Sequence, residues 1–207
     1  DVFSRDTLAT LKSSRSIGHV RYSTTGASNA RNAQPLVVET AREMIAIAHN
    51  GNLVNSGALR KELEQQTQFF PIFHTTTDTE IILYLVARSA NLEKGLKQAM
   101  GQIKGSFSLL FLTPTEMIAV RDPQGFPPLV LGKKGTSWAV ASETCAFDLQ
   151  GIEYQRDIEP GEIVFIDKNG PRSERFVPKK DIHPAHCIFE HVYFARPDRR
   201  VHGEVVQ

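Results

Sequence analysis

The 207-residue sequence predicts an α+β fold in which two β-sheets and several helices form layers. Helical patterns fill the middle of the chain, between residues 56 and 103, while strand patterns lie on both sides of it. In the second half, short β-rich runs alternate with turn signals such as DPQG at residues 122–125, which is typical of antiparallel hairpins. A hydrophobic content of 41%, with 23% charged residues, is sufficient for a packed core.

The elements of the first half follow from periodicity and from the residues that begin and end each pattern. One face of the first predicted strand carries Ile17, His19 and Arg21, because alternate residues of a strand share a face. The capping-box pattern TDTE at residues 77–80 marks the start of the second predicted helix. Strands are expected at residues 16–22 and 44–48, and helices at 56–66, 78–88 and 92–103.

The second half is expected to form short antiparallel strands followed by a linker. The stretch 177–184 contains Pro, Lys and His and has the composition of a linker, after which 188–195 resumes as a candidate strand. We therefore expect one domain over residues 1–180, and a linker with the start of a second domain over 181–207. Strands are expected at 106–112, 117–121, 129–131, 138–142 and 162–166.

Composition excludes several classes of protein. The 24 Lys and Arg residues against 23 Asp and Glu give a net charge of +1, which argues against nucleic-acid binding through bulk charge. No apolar run reaches the roughly 18 residues that cross a bilayer, so we expect no membrane partner. Two cysteines cannot form a disulfide framework and no secretory signal opens the chain, which predicts a cytoplasmic location.

The dipeptide Asn50-Gly51 has two interpretations. Asn-Gly is the strongest short signal for a tight hairpin turn. Alternatively, the Asn50 amide and the Gly51 backbone N–H form a pair of donors for an oxyanion. The following residues, 53–66, lead into a helix rather than a partner strand, which weakens the hairpin interpretation. The dipeptide alone leaves both open.

Arg21 and Asp78 also have both structural and functional interpretations. Arg21 ends a predicted strand before a loop rich in hydroxyl groups, where its guanidinium could hold a carboxylate through two parallel hydrogen bonds or form a surface ion pair. Asp78 lies in the first turn of a predicted helix, where a carboxylate complements the helix dipole. The same carboxylate could instead bind an ammonium group.

The two cysteines have different surroundings. Cys145 lies among small and apolar neighbours and is expected to be a buried structural thiol. Cys187 lies close in sequence to His183, His186 and His191, which raises a zinc alternative. The spacing matches no standard pair of zinc-ligand doublets, however.

Taken in order, these motifs resemble one family. The segments extend from Ile17 to Asp198 and match the glutamine amidotransferases with an N-terminal nucleophile, and among them the amidophosphoribosyltransferase branch. A related branch, that of glucosamine-6-phosphate synthase, shares the Arg, Asn-Gly and Asp motifs but usually has tryptophan where this chain has Tyr22. The matching segments are IGHVRYSTTG, NAQP, AHNGNLVN, TTTDTE, RDPQG, ASETCAFD, PGE and YFARPD.

The resemblance implies a fold and a set of site residues. The fold would be a four-layer αββα sandwich of the N-terminal-nucleophile hydrolase type, incomplete here at its N-terminus. Arg21, with Thr24 nearby, would hold the α-carboxylate of glutamine, and Asp78 would hold its α-ammonium group. Asn50 and Gly51 would form the oxyanion hole for the tetrahedral intermediate at the side-chain amide.

The implied reaction has two halves. Glutamine is hydrolysed, and the ammonia displaces pyrophosphate from phosphoribosyl pyrophosphate in a second domain, giving 5-phosphoribosylamine in the first step of purine synthesis. The glutaminase half would need no cofactor, whereas the phosphoribosyltransferase half would need Mg²⁺. The resemblance further implies a homotetramer for the whole enzyme.

Several residues depart from the family pattern. The family's nucleophile is an N-terminal cysteine whose own amino group is the base, but residue 1 here is Asp1, so we expect this chain alone to be inactive. Pro127 replaces a usual Arg, and His191 a usual Tyr. Cys187 is a candidate [4Fe–4S] ligand, which needs three cysteines outside this chain; other members keep a cysteine here without a cluster.

Two alternatives to this function stay open at this point. The chain could be the glutaminase domain of an enzyme like glucosamine-6-phosphate synthase, in which fructose-6-phosphate accepts the ammonia. It could also be a non-catalytic glutamine-binding module that has lost its nucleophile. A cysteine encoded upstream of Asp1 would argue against that second alternative.

Overall fold

A computed structural model describes residues 4–21, 29–40, 43–66 and 73–185, together with the backbone of 200–201 and 204–205. Its helices are α1 (Arg5–Thr10), α2 (Ser56–Gln66), α3 (Asp78–Ala87), α4 (Leu92–Met100) and α5 (Cys145–Asp148), with short 3₁₀ helices at Ala30–Asn32 and Lys179–Asp181. The strands are β1 (Leu36–Glu39), β2 (Met44–Leu53), β3 (Gly105–Leu112), β4 (Met117–Arg121), β5 (Val130–Lys134), β6 (Ser137–Ala141), β7 (Glu153–Asp157), β8 (Glu162–Asp167), β9 (Gly170–Arg175), β10 (Arg200–Val201) and β11 (Glu204–Val205).

The strands form two main sheets and a separate ribbon. The larger sheet has six strands in the order β1-β2-β3-β4-β8-β9, and the smaller has three in the order β6-β5-β7. All described pairings are antiparallel, and β10 pairs with β11 alone. The long strand β2 pairs with β3 along most of its length, and Gly51 lies opposite Phe107.

Alternate residues of the six-stranded sheet face two different cores. In β4, Ile118 and Val120 join the core beneath the helices α2, α3 and α4, whereas Ala119 faces Leu131 of the smaller sheet. On the outer face of the smaller sheet, the ring of Phe147 in α5 packs against Gly132. A Cβ added to Gly132 would lie only 2.7 Å from that ring. The layers are therefore helices, large sheet, small sheet and helix, the αββα arrangement that was expected.

The helix predictions agree with the structure closely. The predicted helix 56–66 is α2, and those at 78–88 and 92–103 are α3 and α4 with shorter C-terminal ends. The capping box is wrong in detail: Thr77 is the N-cap of α3 but makes no side-chain cap hydrogen bond. Instead, the Glu80 carboxylate accepts hydrogen bonds from the backbone N–H groups of His74 and Thr75.

The strand predictions are less complete. Residues 16–21 alternate between exposed and half-buried, as predicted, but they form no strand in the described part of that segment. The strand expected at 44–48 continues to Leu53 as β2. Strands β1, β7, β9, β10 and β11 were not predicted, and the expected linker contains the 3₁₀ helix Lys179–Asp181. The candidate strand at 188–195 lies outside the described residues. The domain boundary at residue 180 stays a prediction.

Candidate functional site

The centre of the candidate site is the contact between strand β2 and the start of helix α3. The carboxylate of Asp78, the first residue of α3, accepts a hydrogen bond from the backbone N–H of Leu53 at 2.9 Å through Oδ2. Its Oδ1 lies 3.4 Å from Nδ1 of His49 in β2. The strand that carries Asn50 and Gly51 therefore also supplies the partners of the Asp78 carboxylate.

Gly51 lies inside strand β2, so the hairpin-turn interpretation of Asn50-Gly51 is wrong. The backbone φ of Gly51 is 139°, a region that favours glycine. A Cβ atom at this position would lie 2.1 Å from the carbonyl oxygen of Ser106 in β3, so no other residue fits without moving the backbone. Asn50, opposite Ser108 in the ladder, is exposed.

A second set of contacts fixes the loop that leads to Asp78. Besides the backbone bonds from Glu80, the hydroxyl of Thr75 donates to the Glu80 carboxylate at 2.7 Å. From helix α2, the Arg60 guanidinium donates to the carbonyl oxygens of Thr75 and Thr77, and it lies 4.0 Å from the centre of the Phe73 ring. A buried carboxylate and a guanidinium thus hold this loop from its two sides.

The electrostatic surroundings favour the charged form of Asp78. Burial alone would raise the pKa of its carboxyl group, but the imidazole of His49 and the backbone N–H of Leu53 outweigh that effect and lower the pKa below its usual value. The side chain is buried, with 5% of the residue exposed. Asp78 is therefore a buried carboxylate held in its anionic form, which suits the binding of a cation.

The described part of the predicted first strand, residues 16–21, reaches this centre through His19. Burial lowers the pKa of His19, and the electrostatic effects of His49 and Arg21 lower it further, so His19 is close to both residues. Arg21 itself is half-buried. His19 therefore lies within electrostatic reach of Arg21 and of His49, and His49 contacts Asp78.

Two predicted site residues, Thr24 and Cys187, lie outside the described residues, as do His186 and His191 of the zinc alternative. In the described ranges, no group of three or more His, Cys, Asp or Glu side chains could hold a metal ion. These ranges therefore supply neither a zinc nor an iron–sulfur site. Cys145 is half-buried rather than buried, and its thiol lies 3.3 Å from a carboxylate oxygen of Glu143.

Two residues at this centre, His49 and Gln34, were not predicted from the sequence as site residues. His49 is 4% exposed and is the direct neighbour of Asn50, so the HNG triplet was the available signal. Gln34 belongs to the segment NAQP, and its side chain contacts both β2 and α3. Their roles depend on contacts between distant parts of the chain, which the spacing of residues does not show.

No described helix combines the length and the apolar composition that a membrane crossing requires.

A family profile described as a glutamine amidotransferase domain matches residues 19–148, a range that contains Arg21, Asn50, Gly51 and Asp78. Because this match covers more than half of the chain, the chain belongs to the glutamine amidotransferase family.

Two relatives within that family are amidophosphoribosyltransferases. The chain is 42% identical to the amidophosphoribosyltransferase of Bacillus subtilis (strain 168) over 98% of its own length, and 43% identical to the chloroplastic amidophosphoribosyltransferase 1 of Arabidopsis thaliana over 100%. It spans 42% and 36% of those two proteins, respectively.

A solved structure gives the same result. The glutamine phosphoribosylpyrophosphate amidotransferase of B. subtilis, in complex with ADP and GMP, superimposes on this chain with a TM-score of 0.83 and 42% identity, covering 91% of this chain and 40% of the other. The predicted fold of the N-terminal-nucleophile hydrolase type is therefore confirmed. The region of similarity corresponds to the glutaminase portion of amidophosphoribosyltransferases.

Proposed function

We propose that the chain is the glutaminase portion of an amidophosphoribosyltransferase, which releases ammonia from glutamine. The observation that carries this proposal is that the anionic Asp78 carboxylate contacts the strand that presents Asn50 and Gly51. This contact supports a site in which an acceptor for a cation lies close to donors for an oxyanion. An α-amino acid with a side-chain amide has both the ammonium group and the carbonyl that such a site would bind.

The proposed roles follow from charge and hydrogen-bonding chemistry. Asp78 binds the α-ammonium group of glutamine, and the guanidinium of Arg21, with the hydroxyl of Thr24, binds its α-carboxylate. The amide of Asn50 and the backbone N–H of Gly51 donate to the oxyanion that forms when the side-chain carbonyl is attacked. The attacking thiolate is that of an N-terminal cysteine, which is not among these 207 residues.

The ammonia then leaves the glutaminase site for a second reaction. In the complete protein it displaces pyrophosphate from phosphoribosyl pyrophosphate and gives 5-phosphoribosylamine. Mg²⁺ would serve that second site, which lies in a further domain. The support for this branch is the similarity to amidophosphoribosyltransferases over nearly all of the chain.

The proposal extends to the state of the complete protein. We expect a homotetramer in the cytoplasm, although the names of the plant relatives place those proteins in chloroplasts. Cys187 is the candidate ligand of a [4Fe–4S] cluster in the complete protein. Iron and sulfide analysis of that protein, with and without the substitution Cys187→Ser, tests the cluster: loss of bound iron in the variant supports it, and absence of iron in the parent contradicts it.

Two assays test the proposed function. The complete protein should release glutamate from glutamine and, with phosphoribosyl pyrophosphate and Mg²⁺, should form phosphoribosylamine and pyrophosphate. Acceptance of ammonia by fructose-6-phosphate instead would contradict the proposal. The 207-residue chain alone should show no turnover of glutamine, and turnover by that chain would contradict the assignment of the nucleophile to an N-terminal cysteine.

A further inference from the structure

A ring of hydrogen bonds lies directly behind the candidate site. The side-chain oxygen of Gln34 accepts the backbone N–H of His49 at 2.7 Å, and its side-chain nitrogen donates to the hydroxyl of Thr79 at 3.0 Å. The same hydroxyl lies 3.3 Å from Nδ1 of His49, which closes the ring. Gln34, from the residues just before β1, thus joins strand β2 to the first turn of α3.

The direction of the Gln34 amide is determined by its partners. The backbone N–H of His49 can only donate, so the oxygen of the amide must face it, and the NH₂ group must then face Thr79. The hydroxyl of Thr79 accepts this bond and keeps its own proton for a second partner. The direction of the Gln34 amide is therefore fixed, whereas the donor in the contact between Thr79 and Nδ1 of His49 depends on the tautomer of the imidazole.

The ring is also in a place where unpaired polar groups are costly. Thr79 is fully buried and His49 is 4% exposed. The other nitrogen of the His49 ring, Nε2, is buried and has no hydrogen-bond partner among the described residues. The orientation of the imidazole consequently depends on the contacts of Nδ1 with Thr79 and Asp78.

Each member of the ring is adjacent to a proposed glutamine-binding group. His49 precedes Asn50 and Gly51 in β2, and Thr79 follows Asp78 in α3. The ring therefore connects the backbone that presents the oxyanion donors to the backbone that presents the ammonium acceptor. A change in the distance between β2 and the start of α3 would move these two ends of the site apart or together.

We propose that Gln34 is a positioning residue that sets the spacing between the two ends of the glutamine site. This inference rests on the proposed function. Gln34 acts through the backbone of His49 and the hydroxyl of Thr79, and it has no assigned contact with glutamine itself. Its loss should therefore weaken glutamine binding while the fold and the second reaction persist.

The test compares glutamine-dependent with ammonia-dependent formation of phosphoribosylamine in the complete protein. Ammonia supplied from solution bypasses the glutaminase site, so it reports on the integrity of the rest of the enzyme. Gln34→Met removes both hydrogen bonds at nearly constant volume, and we expect a rise of about tenfold in the KM for glutamine with ammonia-dependent activity unchanged. Gln102→Met is the matched control, because Gln102 is exposed and, within the described ranges, its amide bonds only to the local Gln98 carbonyl.

A second pair of variants keeps the test informative if Gln34→Met does not fold. Thr79→Val removes the hydroxyl while Gln34 keeps its bond to His49, and it should raise the KM for glutamine by several-fold. Thr79→Ser keeps the hydroxyl and should restore the parent value. A glutamine KM within twofold of the parent in both folded Gln34→Met and Thr79→Val would overturn the proposal, as would an equal loss of ammonia-dependent activity.

Failure of the underlying function gives a different result. In that case the unmodified complete protein would form product from ammonia but not from glutamine. This outcome would reject the proposed glutaminase and, with it, the role of Gln34. A raised glutamine KM confined to the variants that break the ring supports both.

Discussion

The pKa values of two buried aspartates in this chain are shifted in opposite directions. Asp78, at the start of α3, is 5% exposed and Asp122, in the turn after β4, is fully buried. Burial would raise the pKa of both carboxyl groups. The pKa of Asp78 is nevertheless lowered, whereas that of Asp122 is raised to about 6.

The difference lies in the partners. The Asp78 carboxylate contacts a histidine and a backbone N–H that belong to a strand some 25 residues away in sequence. The Asp122 carboxylate accepts hydrogen bonds from the backbone N–H groups of Gln124 and Phe126, within its own turn. The backbone N–H of Gln124 lowers the pKa of Asp122, as do the backbone of Phe107 in β3 and the neighbouring Arg121, but these effects do not outweigh its burial.

The comparison separates a carboxylate built into a site from one that closes a turn. A carboxylate has about four acceptor positions, and in the described residues Asp78 contacts only two donors outside its own backbone. It retains acceptor capacity for a ligand and is held charged by its surroundings. Asp122 is held in a loop whose shape it determines.

The largest effect we predict concerns the charge of Asp78. In the complete protein, Asp78→Asn should lower kcat/KM for glutamine about a thousandfold, because a desolvated ammonium group would face a neutral amide. Ammonia-dependent product formation should stay unchanged. Asp122→Asn, which removes a buried charge from the turn, should leave kcat/KM per folded molecule within about threefold.

Measuring kcat/KM for glutamine in both variants tests whether Asp78 belongs to the site and Asp122 only to the turn. Equal losses of glutamine-dependent activity in both would mean that Asp78 acts through the fold rather than through its charge.

The next effect concerns the stability of the turn. Arg121 is 4% exposed, and its guanidinium donates to the carbonyl oxygens of Pro127, Ile158 and Gly125 at 2.8–3.0 Å. Arg121→Met should lower the free energy of unfolding by about 3–4 kcal/mol, because three buried acceptors lose a charged donor. Urea unfolding of the parent and the variant measures this change, and a loss below about 1 kcal/mol would contradict it.

The third effect is the pH dependence of stability. The folded-state pKa of Asp122 lies above its unfolded value, so its contribution to stability is present at low pH and is lost as the pH rises through about 6. Between pH 4 and 7 this loss amounts to about 2 kcal/mol. The pH dependence from Asp78 has the opposite sign. The contribution of Asp78 to stability is present above the unfolded pKa and is lost as the pH falls through the lowered folded pKa.

Differences in unfolding free energy between the parent and each variant isolate the two contributions. The parent-minus-variant difference for Asp122→Asn should fall by about 2 kcal/mol from pH 4 to pH 7. For Asp78→Asn the same difference should rise with pH and level off above the ordinary pKa of an aspartate. A flat difference for Asp122→Asn would show that its carboxyl group titrates normally.

The same contrast explains how much of the structure could be predicted from the sequence. Helices α2, α3 and α4 follow from local periodicity, and their predicted starts agree with the structure. The turn at Asp122 is also local, since Asp-Pro-x-Gly favours a turn wherever it occurs. Strands β7 and β9 were missed because their sequences, EYQRD and GPRSER, are polar and lie at sheet edges, where one face is solvated.

The site could be predicted only in part, because its contacts are not local. The family motifs named Asp78 and the Asn50-Gly51 pair, and the structure brings their strand and helix together. The burial of His49 and the bridging contacts of Gln34 depend on pairing between segments 15 to 45 residues apart. Gly51 looked like a turn residue because Asn-Gly is typical of tight hairpins, but its positive φ here allows close approach to the Ser106 carbonyl.

The smallest effect we predict concerns Arg60, which supports the loop before Asp78 without contacting the carboxylate. Its guanidinium bonds the carbonyl oxygens of Thr75 and Thr77 and covers the ring of Phe73. Arg60→Met should raise the KM for glutamine three- to fivefold with little change in kcat, because the loop loses one of its two supports while Glu80 keeps the other. Arg172→Met is a matched control, since Arg172 also lies over a phenylalanine, 4.2 Å from the ring centre of Phe165, but on an exposed surface among Glu93 and Glu174. An equal rise in KM in the control would show that the effect is not specific to this loop. An unchanged KM in Arg60→Met would show that the loop keeps Asp78 in place without Arg60, through the contacts of β2 and Glu80.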